Sequence, residues 1–237
     1  MNKPIFYLLL CFVGSQGIAQ KISGPELLEK AIKYHDPDGK WETFKGTFFI
    51  TMETPNKPKR DSKITIDIPN EYFYVKATQG KNTTEYTVDK GKCSISFNGE
   101  NPSEDIKKEH KLNCERANTY KNYYTYLYGM PMKLKDPGAI IHEQVNLDKF
   151  MGEMYLTLKV TYKKEVGEDT WYFYFNQKNY ALEAYQFYHD ESKNDGEYIV
   201  FTGMEIINGI KMPKERAWYY NKNQQYLGTD ILNAPKE

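Results

Sequence analysis

Catalytic motifs are missing from this sequence of 237 residues. There is no Gly-x-Ser-x-Gly segment, which excludes the nucleophile turn of α/β-hydrolases, and no glycine-rich loop that leads into a helix, which phosphate-binding loops require. No His-x-Glu-x-x-His spacing occurs, and the four histidines are scattered. We therefore expect no catalytic residue, no metal and no cofactor.

Charge of one sign and long apolar runs are also missing. The 32 Lys and Arg residues balance 32 Asp and Glu residues, so the formal net charge is zero. Nucleic-acid binding needs a basic face, and we expect no such partner. The longest apolar run, Ile5–Val13, is too short to span a bilayer, so we expect no transmembrane segment.

The first nineteen residues have the pattern of an export signal. Lys3 supplies the positive start, Ile5–Val13 the apolar centre, and Gly17-Ile18-Ala19 a cleavage site of small residues. Cys11 follows three leucines where a lipoprotein signal needs a small residue, so we interpret it as signal core and not as a lipid anchor. The pattern predicts a periplasmic or secreted protein, cleaved near Ala19-Gln20.

Only two cysteines, Cys93 and Cys114, remain after cleavage. An even pair in an oxidising compartment favours a disulfide, and two separate buried thiols are the alternative. A closed loop of about 20 residues would contribute on the order of 3 kcal/mol by the chain-entropy model.

A short amphipathic helix follows the signal. Ser23 and Glu26 have capping-box spacing, and the apolar positions after them share one helical face with His35. Asp36-Pro37-Asp38-Gly39 ends this helix.

From Trp41 onward the apolar period is two, which predicts strands, and the composition agrees, with 21 tyrosines and little Ala or Leu. Hairpin turns such as Asn208-Gly209 separate the strands, so we expect an antiparallel meander. The predicted strands are Phe44–Glu53, Ile64–Ile68, Tyr72–Ala77, Thr83–Val88, Lys92–Phe97, Met154–Tyr162, Thr170–Phe175, Ala181–His189, Glu197–Ile207, Ile210–Tyr220 and Tyr226–Leu232.

A helical insertion at about Ser103–Gly138 interrupts the strands. Gly129 and Pro131 end its main helix. One face of that helix carries an aromatic stripe: Tyr120, Tyr123, Tyr124, Leu127 and Tyr128. Because roughly ten strands do not stay flat, we predict a mainly β (α+β) fold in residues 20–237: one domain, a strongly curved antiparallel half-barrel whose concave face is covered by the N-terminal helix and the insertion.

Three segments carry a resemblance to a known family: Tyr34–Trp41, Leu127–Gly138 and Pro213–Tyr219. Over essentially the whole mature chain, the sequence resembles exported proteins of the DUF6503 type. In architecture it is similar to the LolA/LolB-like superfamily of lipoprotein carriers. The resemblance to the carriers implies a half-barrel with an apolar cavity. The cavity would hold acyl chains, and helices would cover it as a lid.

On that basis we predict non-catalytic binding or carriage of a lipid or other apolar ligand in the cell envelope, with an envelope protein as a second partner. Pro131–Gly138 would be the hinge of the lid. The predicted cavity lining consists of Phe48, Ile50, Ile66, Leu127, Trp171, Phe173 and Trp218. The same aromatic residues are also compatible with a filled core.

Two other functions stay open. His35 with Asp36 and Asp38 could form the site of an exported metal-dependent hydrolase, although a turn explains the same residues. His189-Asp190-Glu191 is a weaker cation candidate. A carbohydrate- or protein-interaction module is the third possibility, and tyrosines exposed on the convex face would favour it.

Overall fold

The structure, a computed structural model, describes residues 21–233. The predicted export signal therefore lies outside the described residues. The α-helices are α1 Gly24–His35, α2 Glu104–His110 and α3 Cys114–Tyr128, with short 3-10 helices at Trp41–Thr43, Met132–Lys135 and Glu191–Lys193. The strands are β1 Lys45–Glu53, β2 Arg60–Asp67, β3 Tyr72–Gln79, β4 Asn82–Asp89, β5 Lys92–Phe97, β6 Ala139–Phe150, β7 Glu153–Tyr162, β8 Thr170–Phe175, β9 Leu182–Tyr188, β10 Glu197–Ile207, β11 Ile210–Tyr220 and β12 Tyr226–Asn233.

All twelve strands form one curved, open antiparallel sheet, which confirms the predicted half-barrel. Its strand order is β5-β4-β3-β2-β1-β12-β11-β10-β9-β8-β7-β6. The chain therefore makes two meanders, which are joined where Ile50 pairs with Leu232. Because β5 and β6 lie at opposite edges, the segment between them has to cross the whole sheet, and α2 and α3 carry it across.

One strand, β6, was not predicted. It is an edge strand, and its register with β7 shifts between Ile141 and Val145, which breaks the alternation of apolar and polar residues. Ile140 and Leu147 are exposed, so no continuous apolar face marks this strand in the sequence. An edge strand buries little, and its periodicity is correspondingly weak.

Helix α1 forms as its sequence predicts. The Ser23 hydroxyl accepts the Glu26 amide N–H, and the Glu26 carboxylate accepts the Ser23 amide N–H, so the capping box is complete. Its apolar face packs on the inner face of the sheet, the face to which Phe48 and Ile50 point. The buried side chains of α1 are Leu27, Leu28, Ala31 and His35.

Helix α3 carries the predicted aromatic stripe and lies on the same inner face. Tyr124, Leu127 and Tyr128 are buried, and the helix is capped at Gly129. A Cβ atom at Gly129 would overlap the Trp41 ring, so this position needs glycine for close packing.

The predicted disulfide joins Cys93 on β5 to Cys114 at the start of α3, with 5.8 Å between the two Cα atoms. The sheet edge and the crossing helix are thus covalently linked. The start of α3 is held at β5 while its end leads to β6.

Candidate functional site

Aromatic rings fill the space between α3 and the inner face of the sheet. Ring pairs of this kind contribute about 0.5–1.5 kcal/mol each beyond the area that they bury. The helix contacts strands from both meanders, so it fastens the two halves of the sheet together. The pairs between α3 and the sheet are Tyr128 with Phe48, Tyr124 with Phe73, Tyr120 with Tyr86, Tyr123 with Trp218 and Tyr126 with Trp171.

Two buried ionisable residues lie beneath this aromatic layer. Arg216 on β11 and Asp230 on β12 occupy paired positions, and both are fully buried. The Arg216 guanidinium lies 3.9 Å from the centre of the Tyr128 ring and donates to the carbonyl oxygen of Pro213. Sequence analysis missed this pair, although the period of two puts Arg216 on the same strand face as Met212 and Trp218.

Several polar atoms under α3 have no hydrogen-bond partner among the described residues. Burial raises the pKa of Asp230 above its ordinary value, while the guanidinium groups of Arg60 and Arg216 act in the opposite direction. A buried polar atom without a partner costs about 1–3 kcal/mol. The unpartnered atoms in this region are Arg60 Nε, Tyr86 Oη, Tyr128 Oη, Tyr185 Oη, Arg216 Nε, Trp218 Nε1 and Asp230 Oδ1.

Open space remains beside α3. The lateral groove, as we name it, has a volume of about 560 Å³ and lies between α3, β7, β8 and the loop 163–169. Its walls are largely apolar and aromatic, and its rim carries charges of both signs. The wall residues are Tyr123, Tyr126, Tyr162, Val166 and Trp171, and the charged rim residues are Lys121, Lys133, Asp136 and Asp169.

A second groove of about 370 Å³ lies on the other flank of α3, against the turn between β2 and β3. Its lining includes Trp41, Ile66 and Phe73. Lys121 and Lys133 line both grooves, so the two open spaces meet at the exposed flank of α3.

The seven residues predicted to line a cavity do not share one environment. Trp171 lines the lateral groove, and Ile66 lines the second groove. Trp218 is half-buried against Tyr123. Phe48, Ile50, Leu127 and Phe173 are buried in the core. As ligand-binding residues, all seven remain a prediction.

His35, Asp36 and Asp38 do not converge on a common point. The His35 Nε2 atom accepts the Leu182 amide N–H, so its Nδ1–H donates to the Lys211 carbonyl oxygen. Burial lowers the pKa of His35 to about 4 despite that second bond. Both ring nitrogens are thus used by backbone groups, which leaves none for a metal.

The two carboxylates next to His35 serve the turn that follows α1. Asp36 accepts the amide N–H groups of Lys40 and Trp41, and Asp38 pairs with the Lys40 ammonium. This geometry supports the interpretation of these residues as a turn.

The His189 cluster also lacks the form of a cation site. His189 bonds to Asp169, and Asp190 caps the short 3-10 helix at Glu191–Lys193. The Asp169 carboxylate raises the pKa of His189 above its ordinary value. Within residues 21–233, no group of three or more His, Cys, Asp or Glu side chains is placed to hold a metal ion.

The outer face of the sheet, opposite α3, carries an aromatic groove of about 290 Å³. Tyr172 and Tyr188 are half-buried there. The Tyr172 hydroxyl donates to Glu191, and the Tyr174 hydroxyl donates to Gln186. Phe150 at the end of β6 stacks on Tyr174 at 4.1 Å, so Tyr174 is covered on this face, whereas Tyr172 and Tyr188 stay partly exposed.

None of the helices in residues 21–233 has both the length and the apolar character needed to cross a bilayer. No functionally curated protein matches the sequence.

The fold is similar to that of several solved structures. A LolA superfamily protein from Nitrosomonas europaea matches with a TM-score of 0.48 at 11% identity, covering 91% of this chain and 95% of that one. A DUF1329 family protein from Desulfovibrio piger matches with a TM-score of 0.47 at 9% identity, covering 90% of this chain and 92% of that one.

The sequence itself matches one family model over nearly its full length. That model describes a family of unknown function, and the match extends over residues 3–233. The protein therefore belongs to the DUF6503 family, as the three resembling segments predicted.

Proposed function

We propose that this protein is an exported, non-catalytic carrier that binds a lipid or another apolar ligand in the cell envelope, either in the periplasm or outside the cell. The observation that carries the proposal is the lateral groove beside α3. Ligand pockets in proteins typically measure about 300–1,000 Å³ and have mostly apolar walls with a few polar groups. The lateral groove, at about 560 Å³, fits that description.

The groove suits an amphipathic ligand. Tyr126, Trp171 and Val166 offer apolar surface for a hydrocarbon chain, and Lys121 and Lys133 stand at the rim where a polar end would reach water. The hydroxyls of Tyr126 and Tyr162 bond to each other at 2.5 Å, so each has a polar partner without a contribution from the ligand. Burial of apolar surface supplies about 25 cal/mol per Å² as the driving force.

Helix α3 is proposed to act as the lid. The unpartnered polar atoms beneath it would gain water when it lifts, which lowers the cost of opening. The disulfide holds the start of α3 at β5, so displacement is greatest at its end, and Pro131–Gly138 is the segment that has to change shape. In the closed state Met132 and Leu134 are buried and Lys135 pairs with Glu29 of α1 at 2.6 Å.

Hydrogen exchange tests the lid. The free energy of the opening that allows exchange should be lower for amides in the last turns of α3 than for amides in the central strands β1 and β12. Equal protection in α3 and in those strands would argue against a moving lid.

Native mass spectrometry of the mature chain, purified without detergent from an exporting host, tests for a ligand directly. A stoichiometric lipid that leaves on solvent extraction supports the carrier and gives the ligand class. A mass equal to the bare polypeptide, less two hydrogens for the disulfide, weakens the proposal.

Val166→Asp locates the site. Val166 is 55% exposed, so the fold tolerates the change, and a carboxylate in the groove opposes an apolar chain. We expect about tenfold weaker binding of a fluorescent fatty acid such as dansylundecanoic acid, a loss of roughly 1.4 kcal/mol. Ile206→Asp is the matched control, because Ile206 is 62% exposed and does not line either groove. Equal affinity in the two variants would place the ligand elsewhere.

Carbohydrate binding is the second candidate, and the groove on the outer face is the observation that favours it. Tyrosine rings beside carboxylate and amide groups are suited to stack on sugars and to bond their hydroxyls. Tyr188→Ala should weaken binding of a neutral oligosaccharide, measured by calorimetry, while leaving fatty-acid binding unchanged.

A further inference from the structure

Arginine is rare in this chain and has an unusual distribution. It occurs three times, at positions 60, 116 and 216, whereas 29 of the 32 basic residues are lysines. All three arginines lie on α3 or contact its tyrosines. Each ion pair among the described residues uses a lysine or a histidine as its cation, so no carboxylate lies within 4.0 Å of any of the three guanidinium groups.

Two of these arginines line one pocket of about 190 Å³ between α3 and strands β2 to β5. The guanidinium carbons of Arg60 and Arg116 lie 5.9 and 5.8 Å from the centre of the Tyr120 ring. The pocket contains no Asp or Glu side chain. Its remaining polar lining consists of Gln79, Asn82, Thr84, Tyr86 and His110.

Several polar atoms of this basic pocket make few hydrogen bonds or none. Arg60 Nη2 donates to the Tyr124 hydroxyl at 3.3 Å, but Arg60 Nε and the Tyr86 hydroxyl are buried and have no partner among the described residues. Arg116 Nη1 donates to the His110 carbonyl oxygen at 3.5 Å, and the Tyr120 hydroxyl is a second polar neighbour of this guanidinium. A guanidinium has five N–H donors, so most of the donors here remain available.

Two like charges that share a pocket with no carboxylate in its lining repel each other, and a bound anion relieves that repulsion. Planar guanidinium groups are the preferred partners of phosphate and carboxylate, because they donate two parallel N–H bonds. A phosphomonoester carries a charge of about −1.5 to −2 at neutral pH, which matches two arginines better than a single carboxylate does.

We propose that Arg60 and Arg116 form a binding site for a phosphomonoester group. The disulfide at Cys114 holds Arg116 near β5, so the site is organised before the ligand arrives. The phosphate could belong to a small soluble molecule or to the head group of a lipid. The site does not depend on the lateral groove, whose lining it does not share.

Calorimetry on the full mature chain tests this site with three probes: inorganic phosphate, glycerol 3-phosphate and the short-chain lipid dihexanoyl phosphatidic acid. Arg116→Gln should weaken binding about tenfold or more, the loss expected for charge-assisted hydrogen bonds. Arg116 is exposed on α3, so this variant should fold. Lys108→Gln on α2 is the matched control: it removes the same charge from an exposed residue outside the pocket, and we expect a change of less than twofold.

Each outcome decides the proposal. Binding of all three probes with similar affinity, lost in Arg116→Gln, supports a site for soluble phosphates. Binding of the lipid at least tenfold more tightly than glycerol 3-phosphate, again lost in Arg116→Gln, supports a lipid head group. Wild-type affinity in Arg116→Gln, or no binding of any probe at millimolar concentration, overturns the site. Fatty-acid binding and its loss in Val166→Asp test the carrier function separately.

Discussion

Helices α1 and α3 cover the same face of one sheet, yet the polar groups beneath them differ in hydrogen bonding. Under α1, His35 is fully buried and both of its ring nitrogens bond to backbone groups of other elements. Under α3, Tyr128, Tyr185 and Asp230 are equally buried, and each has an atom without a partner among the described residues.

This difference distinguishes a fixed helix from one that is suited to move. Hydrogen bonds between buried groups are stronger in a medium of low dielectric constant, so they make an interface rigid. Buried polar groups without a hydrogen-bond partner instead raise the free energy of an interface from which water is excluded. The contrast therefore supports the proposed roles, in which α1 stays in place and α3 moves as the lid. Water or a ligand would bind the polar groups that α3 leaves without partners. Three predictions test this contrast.

Removal of the bonded group under α1 should have the largest effect. His35→Ala leaves the Leu182 amide and the Lys211 carbonyl without partners and also opens a cavity. We expect the free energy of unfolding, measured in urea, to fall by about 3–5 kcal/mol. Asp38→Ala in the adjacent turn is the control: it removes an exposed ion pair and should leave the free energy of unfolding nearly unchanged. If both variants lose similar amounts, His35 does not anchor α1.

The pH dependence of stability should also show the contribution of buried His35. Burial lowers the pKa of His35 to about 4 from an ordinary value of 6.5, so between these values the unfolded chain binds a proton that the folded chain excludes. The free energy of unfolding should therefore fall as the pH drops from 6.5 to 4, by about 3 kcal/mol from this residue.

Comparison of variants isolates that contribution. His35→Ala should lack this part of the slope in urea titrations at several pH values. His189→Ala should retain it, because His189 is exposed and its pKa is raised by Asp169. An unchanged slope in His35→Ala would mean that other groups control acid unfolding.

Removal of an unpartnered group under α3 should have the smallest effect and the opposite sign. Tyr128→Phe deletes a buried hydroxyl that has no partner, so we expect the free energy of unfolding to stay constant or to rise by about 1 kcal/mol. Tyr126→Phe is the control on the same helix. Its hydroxyl bonds to Tyr162, and its loss should cost about 1 kcal/mol. A similar loss in both variants would show that an ordered water satisfies Tyr128.

The sequence predicted the elements of this fold better than the site. Capping chemistry at Ser23, the aromatic stripe of α3 and the Asn208-Gly209 turn are local signals, and both residues of that turn have positive φ as a tight hairpin requires. The pattern failed at β6, where a register shift interrupts the period.

Most of the site depends on contacts between distant residues. His35 lies 176 residues from Lys211 and 147 from Leu182, and the pairing of Arg216 with Asp230 follows from the register of two strands. A period of two places a residue on a face but does not identify its partner across the sheet. The sequence therefore could not show that His35 bonds to backbone or that polar groups lie unpartnered under α3.

The join between the two meanders determines when this protein can finish folding. Phe49 in the middle of β1 pairs with Asn233 at the end of β12, so the central seam of the sheet forms only after the chain up to residue 233 is available. Contacts between residues so far apart in the sequence form slowly, because a long loop has to close, at a cost in chain entropy, before the contact can stabilise the chain. Late closure of this seam agrees with the export that we propose, because a chain whose sheet is incomplete can still be threaded through a membrane pore. In that proposal the sheet and the disulfide both form on the far side of the membrane.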